Sequence, residues 1–176
     1  MARPPDADAL NTTEAAVLGA VARAGRAHGF QLVPELRPGG PLGRIVAVKP
    51  AMIYALLHKL EQRGLLRGQT IAQLDRPDRH EVTLSDAGRE VLRAWVRTPV
   101  TRMRDLRQVF LLKHALAPAV GLSRRALLRA QRDALGAVHP VAEPEDAVAR
   151  YRAAMVEAAL AWLETEGNRA RSPHRT

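Results

Sequence analysis

Cysteine is absent from the 176 residues. No disulfide can staple the fold and no thiolate can hold a metal, which fits a reducing cytoplasm. The six histidines, His28, His58, His80, His114, His139 and His174, are scattered without ligand spacing, so no metal centre is expected. No apolar run approaches the roughly 20 residues of a membrane helix. The start, Met1-Ala2-Arg3-Pro4-Pro5-Asp6, lacks the apolar segment of a signal peptide. A soluble cytoplasmic protein is therefore expected. Catalytic signatures are missing too: there is no Gly-rich phosphate loop, no Gly-x-Ser-x-Gly elbow and no His-Glu-x-x-His. Glu143, Glu145 and Asp146 stand at a helix start, where the macrodipole favours acids without any chemistry. Neither an enzyme nor a cofactor is expected.

What is present is core material and positive charge. Hydrophobic residues are 47% of the chain, enough for a real core. The net charge is +9 and the isoelectric point near 11.2, which favours an acidic partner. The charge is unevenly spread: residues 1–100 carry a net +4, 101–138 a net +6 and 139–176 a net −1. The C-terminal third is not a basic tail. Nearly all the cations are Arg, which beside the abundant Ala can reflect genome composition.

The stretch from Lys49 to Leu66 organises the chain. Ile53, Leu56, Leu57 and Leu60 line one side of a helical period, and Ala51, Tyr54, Ala55, His58, Lys59 and Gln62 fall largely on the other. Pro50 suits the first helical position and Gly64 the left-handed residue past the end. No acid precedes Glu61, so this outer face can lie against a polyanion; the alternative is a core helix with a solvated back. Before it, Asn11-Thr12-Thr13-Glu14 reads as a capping box opening a helix to Ala24, with Val17, Leu18 and Val21 inward. Gly25 to Gly29 break it, with Arg26 and His28 in the turn. A second helix over Phe30–Leu36 offers Phe30, Leu32, Val33 and Leu36 to a core, with Pro34 in its first turns or kinking it.

After the organising helix, residues 65–71 and 80–84 read as an antiparallel hairpin around a turn at Asp75-Arg76-Pro77-Asp78. Ser85 caps a fourth helix to Arg97, with Val91, Leu92, Trp95 and Val96 inward. Three helices, a hairpin and a fourth helix are the order of a winged helix-turn-helix, whose third helix enters the major groove while the wing touches backbone or minor groove.

Four blocks in that order also resemble the signatures of the PadR-type transcriptional regulators. They are Leu10-Asn11-Thr12-Thr13-Glu14-Ala15-Ala16-Val17-Leu18-Gly19, His28-Gly29-Phe30, Ile53 through Leu65, and Leu84-Ser85-Asp86-Ala87-Gly88. Arg107 through Lys113 is similar to a further block of that family. The resemblance implies a dimeric winged-helix repressor with Tyr54 at the DNA face. The chain departs from the pattern at Lys49, where a small hydroxyl residue is usual, and at Glu81-Val82, where an aromatic pair is usual.

Past Pro99 the sequence predicts a basic helix over 102–116 with Met103, Leu106, Val109 and Phe110 inward, stopped by Pro118. A helix over Arg124–Val138 capped by Ser123 follows, then a last helix over Glu145–Glu164 introduced by Pro144. In the last helix Val148, Tyr151, Met155, Ala158, Ala159, Trp162 and Leu163 keep a 3-and-4 spacing. Such a stripe serves an intrachain core or a dimer seam. The preceding helix offers only Leu127, Leu128, Leu135 and Val138 to cover it, which with the resemblance favours the dimer.

The expectation is a mainly α chain. Residues 10–98 form a winged helix-turn-helix domain, 99–166 a helical dimerisation and effector region, and 167–176 a disordered tail. Its function is that of a homodimeric repressor on palindromic double-stranded DNA; the alternative is a winged-helix module binding RNA or a protein. Lys49, Ala51, Met52, Tyr54 and His58 face DNA, and Arg76 and Arg79 reach it from the wing. Val148, Tyr151, Met155, Ala159 and Trp162 form the seam. Apolar helices of two subunits can also enclose a small apolar effector.

Overall fold

The computed structural model describes residues 10–73, 76–139 and 146–169, and at 72, 73 and 76–79 the backbone alone. Asn11 opens helix α1 (Thr12–Ala24) with the expected box: its side chain accepts from the Glu14 amide at 2.9 Å, and Glu14 Oε2 accepts from the Asn11 amide at 3.1 Å. Every residue from Glu14 to Val21 is buried. One amphipathic face cannot require that. It follows because α1 is enclosed from several sides, by the helices of the winged unit and, from the C-terminal part, by Leu116, whose side chain lies where a Cβ on Gly19 would stand.

Strand β1 (Arg26–Ala27) occupies what the sequence suggests is only a turn. Two residues carry no readable period. Helix α2 (Gly29–Leu36) buries Leu32 and Leu36, and Pro34 in its second turn withholds one internal hydrogen bond. Phe30, expected in the core, is instead 72% exposed. At about 100° per residue it points some 200° away from Leu32, so a helix that buries Leu32 turns Phe30 outward.

Helix α3 (Pro50–Gln62) begins at Pro50, buries Ile53, Leu56, Leu57 and Leu60, and is stopped by Gly64 at φ 69°. The hairpin is longer than expected, β2 (Leu66–Gln73) against β3 (Arg76–Leu84). Arg76, Pro77 and Asp78 belong to β3 rather than to a turn, because pairing continues past Ile71 opposite Arg79 to Gln73 opposite Arg76, across an irregularity. The antiparallel sheet runs β1-β3-β2. Ser85 then does two jobs: its hydroxyl donates to the Gly64 carbonyl at 2.6 Å and accepts from the Gly88 amide at 2.9 Å. It thereby joins the end of α3 to the start of α4 (Asp86–Arg97), which buries Val91, Leu92, Trp95 and Val96 as expected.

The expected helix over 102–116 is not one regular helix. It consists of α5 (Met103–Asp105), a π-helical turn (Leu106–Phe110) and α6 (Leu111–Leu116), and Pro118 lies in a 3₁₀ turn (Ala117–Val120). The widened turn shifts the helical phase, so Phe110 is fully buried while Met103, Leu106 and Val109 are half-buried. Helix α7 (Arg124–Val138) starts at Ser123 as expected. Its Gln131, wholly buried, clamps the linker: the Val100 amide donates to Oε1 at 2.8 Å, and Nε2 donates to the Val100 carbonyl at 2.7 Å. Lys113 adds a second fastening, donating to the Thr98 carbonyl at 2.6 Å with its Nζ 4.7 Å from the Trp95 ring centre. Phe110, Leu112, Leu116, Leu128 and Leu135 share one core with α1 and α4. The core therefore runs unbroken past residue 98. Helix α8 (Ala147–Arg169) starts later than expected and continues through Gly167 to Arg169, where the sequence suggests a tail. Pro144 and residues 170–176 lie outside the described residues.

Candidate nucleic-acid interface

Because Ile53, Leu56, Leu57 and Leu60 pin one side of α3, the rest of the helix must face outward. Lys49, Ala51, Met52, Tyr54 and His58 are all exposed, with Met52 and Tyr54 about half so and the small Ala51 and Ala55 between them. Lys49 is the N-cap, but its side chain makes no cap hydrogen bond. It has no oxygen to accept one. His58 shares a 2.9 Å hydrogen bond with Gln62 one turn on.

Tyr54 is seated by the neighbouring helix. A Cβ on Gly29, the first residue of α2, would overlap the Tyr54 ring. The ring thus lies on bare backbone at the start of α2, beside exposed Phe30, whose ring stacks 6.5 Å from His28. Sequence reasoning misses Gly29 because a glycine at a helix start reads as a breaker. Gly29→Ala is expected to push the half-exposed Tyr54 ring outward, leaving thermal stability nearly unchanged. On the expectation that Tyr54 meets a DNA phosphate, DNA affinity should fall by about tenfold, the cost of one lost charge-assisted contact; a titration paired with a melting curve checks both.

The orientation of α3 is set by charge as well as packing. Glu14, buried in α1, meets Lys59 Nζ at 2.8 Å and Arg63 at 3.2 Å. Burial works to raise its carboxyl. The Lys59 hydrogen bond, the Asn11 amide and the charges of Arg63 and Lys59 outweigh burial and hold it below the ordinary carboxylate range. Lys59 is therefore engaged with Glu14. The signal at Glu14 was half visible in the sequence, which gives it only the local capping role. On the wing side, Glu61 of α3 accepts from or pairs with His80 of β3 at 3.0 Å. Arg76 and Arg79 stand on the backbone of β3, at its start and opposite Ile71; their side chains lie outside the described residues.

The second set of expected residues lies on α8. Val156 and Leu163 pack inward towards α7. Val148, Tyr151, Met155 and Trp162 are 57%, 67%, 45% and 40% exposed, and Ala159 is half-buried at the edge of the core. Trp162 also meets Phe110 edge-on at 6.3 Å. Among the described residues no group of His, Asp and Glu could hold a metal ion, and no helix is long and apolar enough to cross a membrane.

Comparison with curated proteins finds no match. Among solved structures, the chain is similar to Bacillus subtilis PadR in complex with operator DNA, at 20% identity and a TM-score of 0.48 over 92% of this chain and 96% of that one. A PadR-like transcriptional regulator from Bacillus cereus aligns at 17% identity and a TM-score of 0.42, over 94% of this chain and 99% of that one. Bacillus subtilis PadR in complex with p-coumaric acid aligns at 17% identity and a TM-score of 0.40, over 92% and 97%. Residues 17–94, from the middle of α1 to the third turn of α4, match the model of the transcriptional regulator PadR-like family. The winged unit of this chain, from α1 to α4, is thus similar to the transcriptional regulator PadR-like family.

Proposed function

We propose that the chain is a sequence-specific DNA-binding regulator that acts as a homodimeric repressor on a palindromic operator. The observation that carries this reading is the outer face of α3: Lys49, Ala51, Met52, Tyr54 and His58 stand exposed together on a helix whose other side is wholly in the core. In a winged helix that is the side offered to the major groove. The net charge of +9 supports a polyanionic partner. Lys49 and Tyr54 are assigned to phosphate, Ala51 and Met52 to base edges, and Arg76 and Arg79 to backbone or minor groove from the wing. Val148, Tyr151, Met155, Ala159 and Trp162 are assigned to the seam between two copies. A small apolar molecule lodged between the paired helices would release the DNA.

A phosphate contact is blind to sequence. Lys49→Ala is therefore expected to weaken binding to operator and random DNA alike, and to make the slope of log affinity against log salt shallower by about one. Titration at four salt concentrations measures it. Loss confined to the operator would remove Lys49 from the phosphate role.

A further inference from the structure

Leu128 of α7 and Leu163 of α8, both buried, floor a groove between the two helices that encloses about 120 Å³. Arg125, Arg129 and Arg132 rise from α7 along one wall, spaced four and three residues apart and so on one side of the helix. Glu164, Gly167 and Asn168 of α8 form the other wall. Three arginines and Glu164 thus line the groove, with the Asp133 carboxylate beside Arg132. Arg132 pairs with Asp133 at 3.1 Å, whereas Arg125 and Arg129 have no ion pair among the described residues.

The glycines of the groove point the same way. Gly167 lies inside α8, and Gly136, inside α7, lines the groove's continuation past Arg132 and Glu164. A Cβ on either would meet nothing within 4 Å. Glycine weakens a helix, and no packing among the described residues demands it at these two places. What the two glycines keep is open space beside the arginines. The groove also stays clear of the seam assigned above. At about 100° per residue from buried Val156 and Leu163, Glu157, Leu160 and Glu164 turn to one flank of α8, and Met155 and Trp162 to the other.

We propose that the groove between α7 and α8 is a binding site for the phosphoryl group of a small molecule. A guanidinium matches phosphate oxygens two at a time. With Asp133 on Arg132 and Glu164 on the opposite wall, one positive charge is in surplus, and Arg125 and Arg129, one turn apart, offer two forks that the several oxygens of a phosphoryl group can fill and the two of a carboxylate cannot. Leu128 and Leu163 give the groove an apolar floor, beside which a charged hydrogen bond is stronger than in open water.

The test is calorimetric titration of the full chain with inorganic phosphate, pyrophosphate and acetate. Phosphate or pyrophosphate should bind saturably at one site per chain, with acetate binding at least about tenfold more weakly. The Arg125→Gln, Arg129→Gln double variant should raise the dissociation constant about tenfold or more. Gly167→Leu, which fills the groove without changing charge and improves helix propensity, should do the same with no fall in melting temperature. Arg102→Gln with Arg104→Gln removes equal charge elsewhere and should leave binding as it was. The proposal is overturned by the absence of saturable phosphate binding or by acetate binding as well as phosphate. It is equally overturned by a Gly167→Leu protein that binds normally, or by a control pair that weakens binding as much as the groove pair.

Discussion

Replacing Tyr151 and Met155 together by Glu is expected to turn the proposed dimer into a monomer and to cost about a hundredfold or more in operator affinity. Both side chains stand on α8 away from Val156 and Leu163, at 67% and 45% exposure. Carboxylates there leave the packing of α8 on α7 untouched, so the melting temperature of the isolated chain should barely change. Against a two-fold-related copy the same carboxylates would meet their own kind in a desolvated seam, which costs far more than any surface pair. One winged helix then binds one half-site alone. In the proposed dimer two recognition helices held about 34 Å apart would lose their linked binding, and with it most of the selectivity. Sedimentation reports the mass and a DNA titration the affinity. A double variant that still sediments as a dimer and binds normally would remove α8 from the seam.

Glu14→Gln is expected to have the largest effect on stability. The amide keeps the capping geometry with Asn11 but loses the charge that answers Lys59 and Arg63. Lys59 is more than half exposed and Arg63 partly so, so water recovers part of the loss. About 2 kcal/mol is expected at neutral pH, or roughly 4–8 °C in melting temperature for a chain of this size. The pH dependence separates this from a packing defect. The folded Glu14 titrates below its unfolded value, so its contribution is fully present above the unfolded carboxylate range, about 4.3, and is lost as pH falls through the lower folded value. The gap between wild type and Glu14→Gln should therefore narrow as pH falls below the unfolded carboxylate value, about 4.3, and close in stronger acid. A gap that persists there would mean that the ion pairs are not its origin. Burial and the Arg124 charge, partly offset by Glu166, also hold His114 below its ordinary range. It adds acid sensitivity beginning at the unfolded His value, about 6.5, to wild type and variant alike.

The winged unit was legible because its local signals agree with its packing. Pro50 and Gly64 bracket α3, Asn11 and Ser85 cap where expected, and the buried sets of α3 and α4 are those the period marks out. Features set by distant partners were not legible. Phe30 reads as core because apolar residues surround it in sequence, yet the phase of α2 is fixed by Leu32 and Leu36, and Phe30 faces outward. β1 exists only because β3 passes beside it. Glu14 looks like half of a capping box until α3 brings two cations against it, and Gly29 looks like a breaker until Tyr54 lies on it. The π-helical turn at 106–110 and the Gln131 clamp on Val100 likewise depend on contacts far along the chain. No local pattern encodes those.

The reading of α3 as the surface that selects DNA in a dimer is tested most directly by letting the full-length protein choose its DNA. Fragments enriched from a random pool would be titrated against scrambled DNA, with the number of chains per site determined from the same titration. The expected result is a two-fold sequence with half-sites about 10 base pairs apart, centre to centre. Two chains should occupy it, about a thousandfold or more tighter than the scrambled DNA. Contradiction would come from no enriched sequence, or from equal affinity for selected and scrambled DNA.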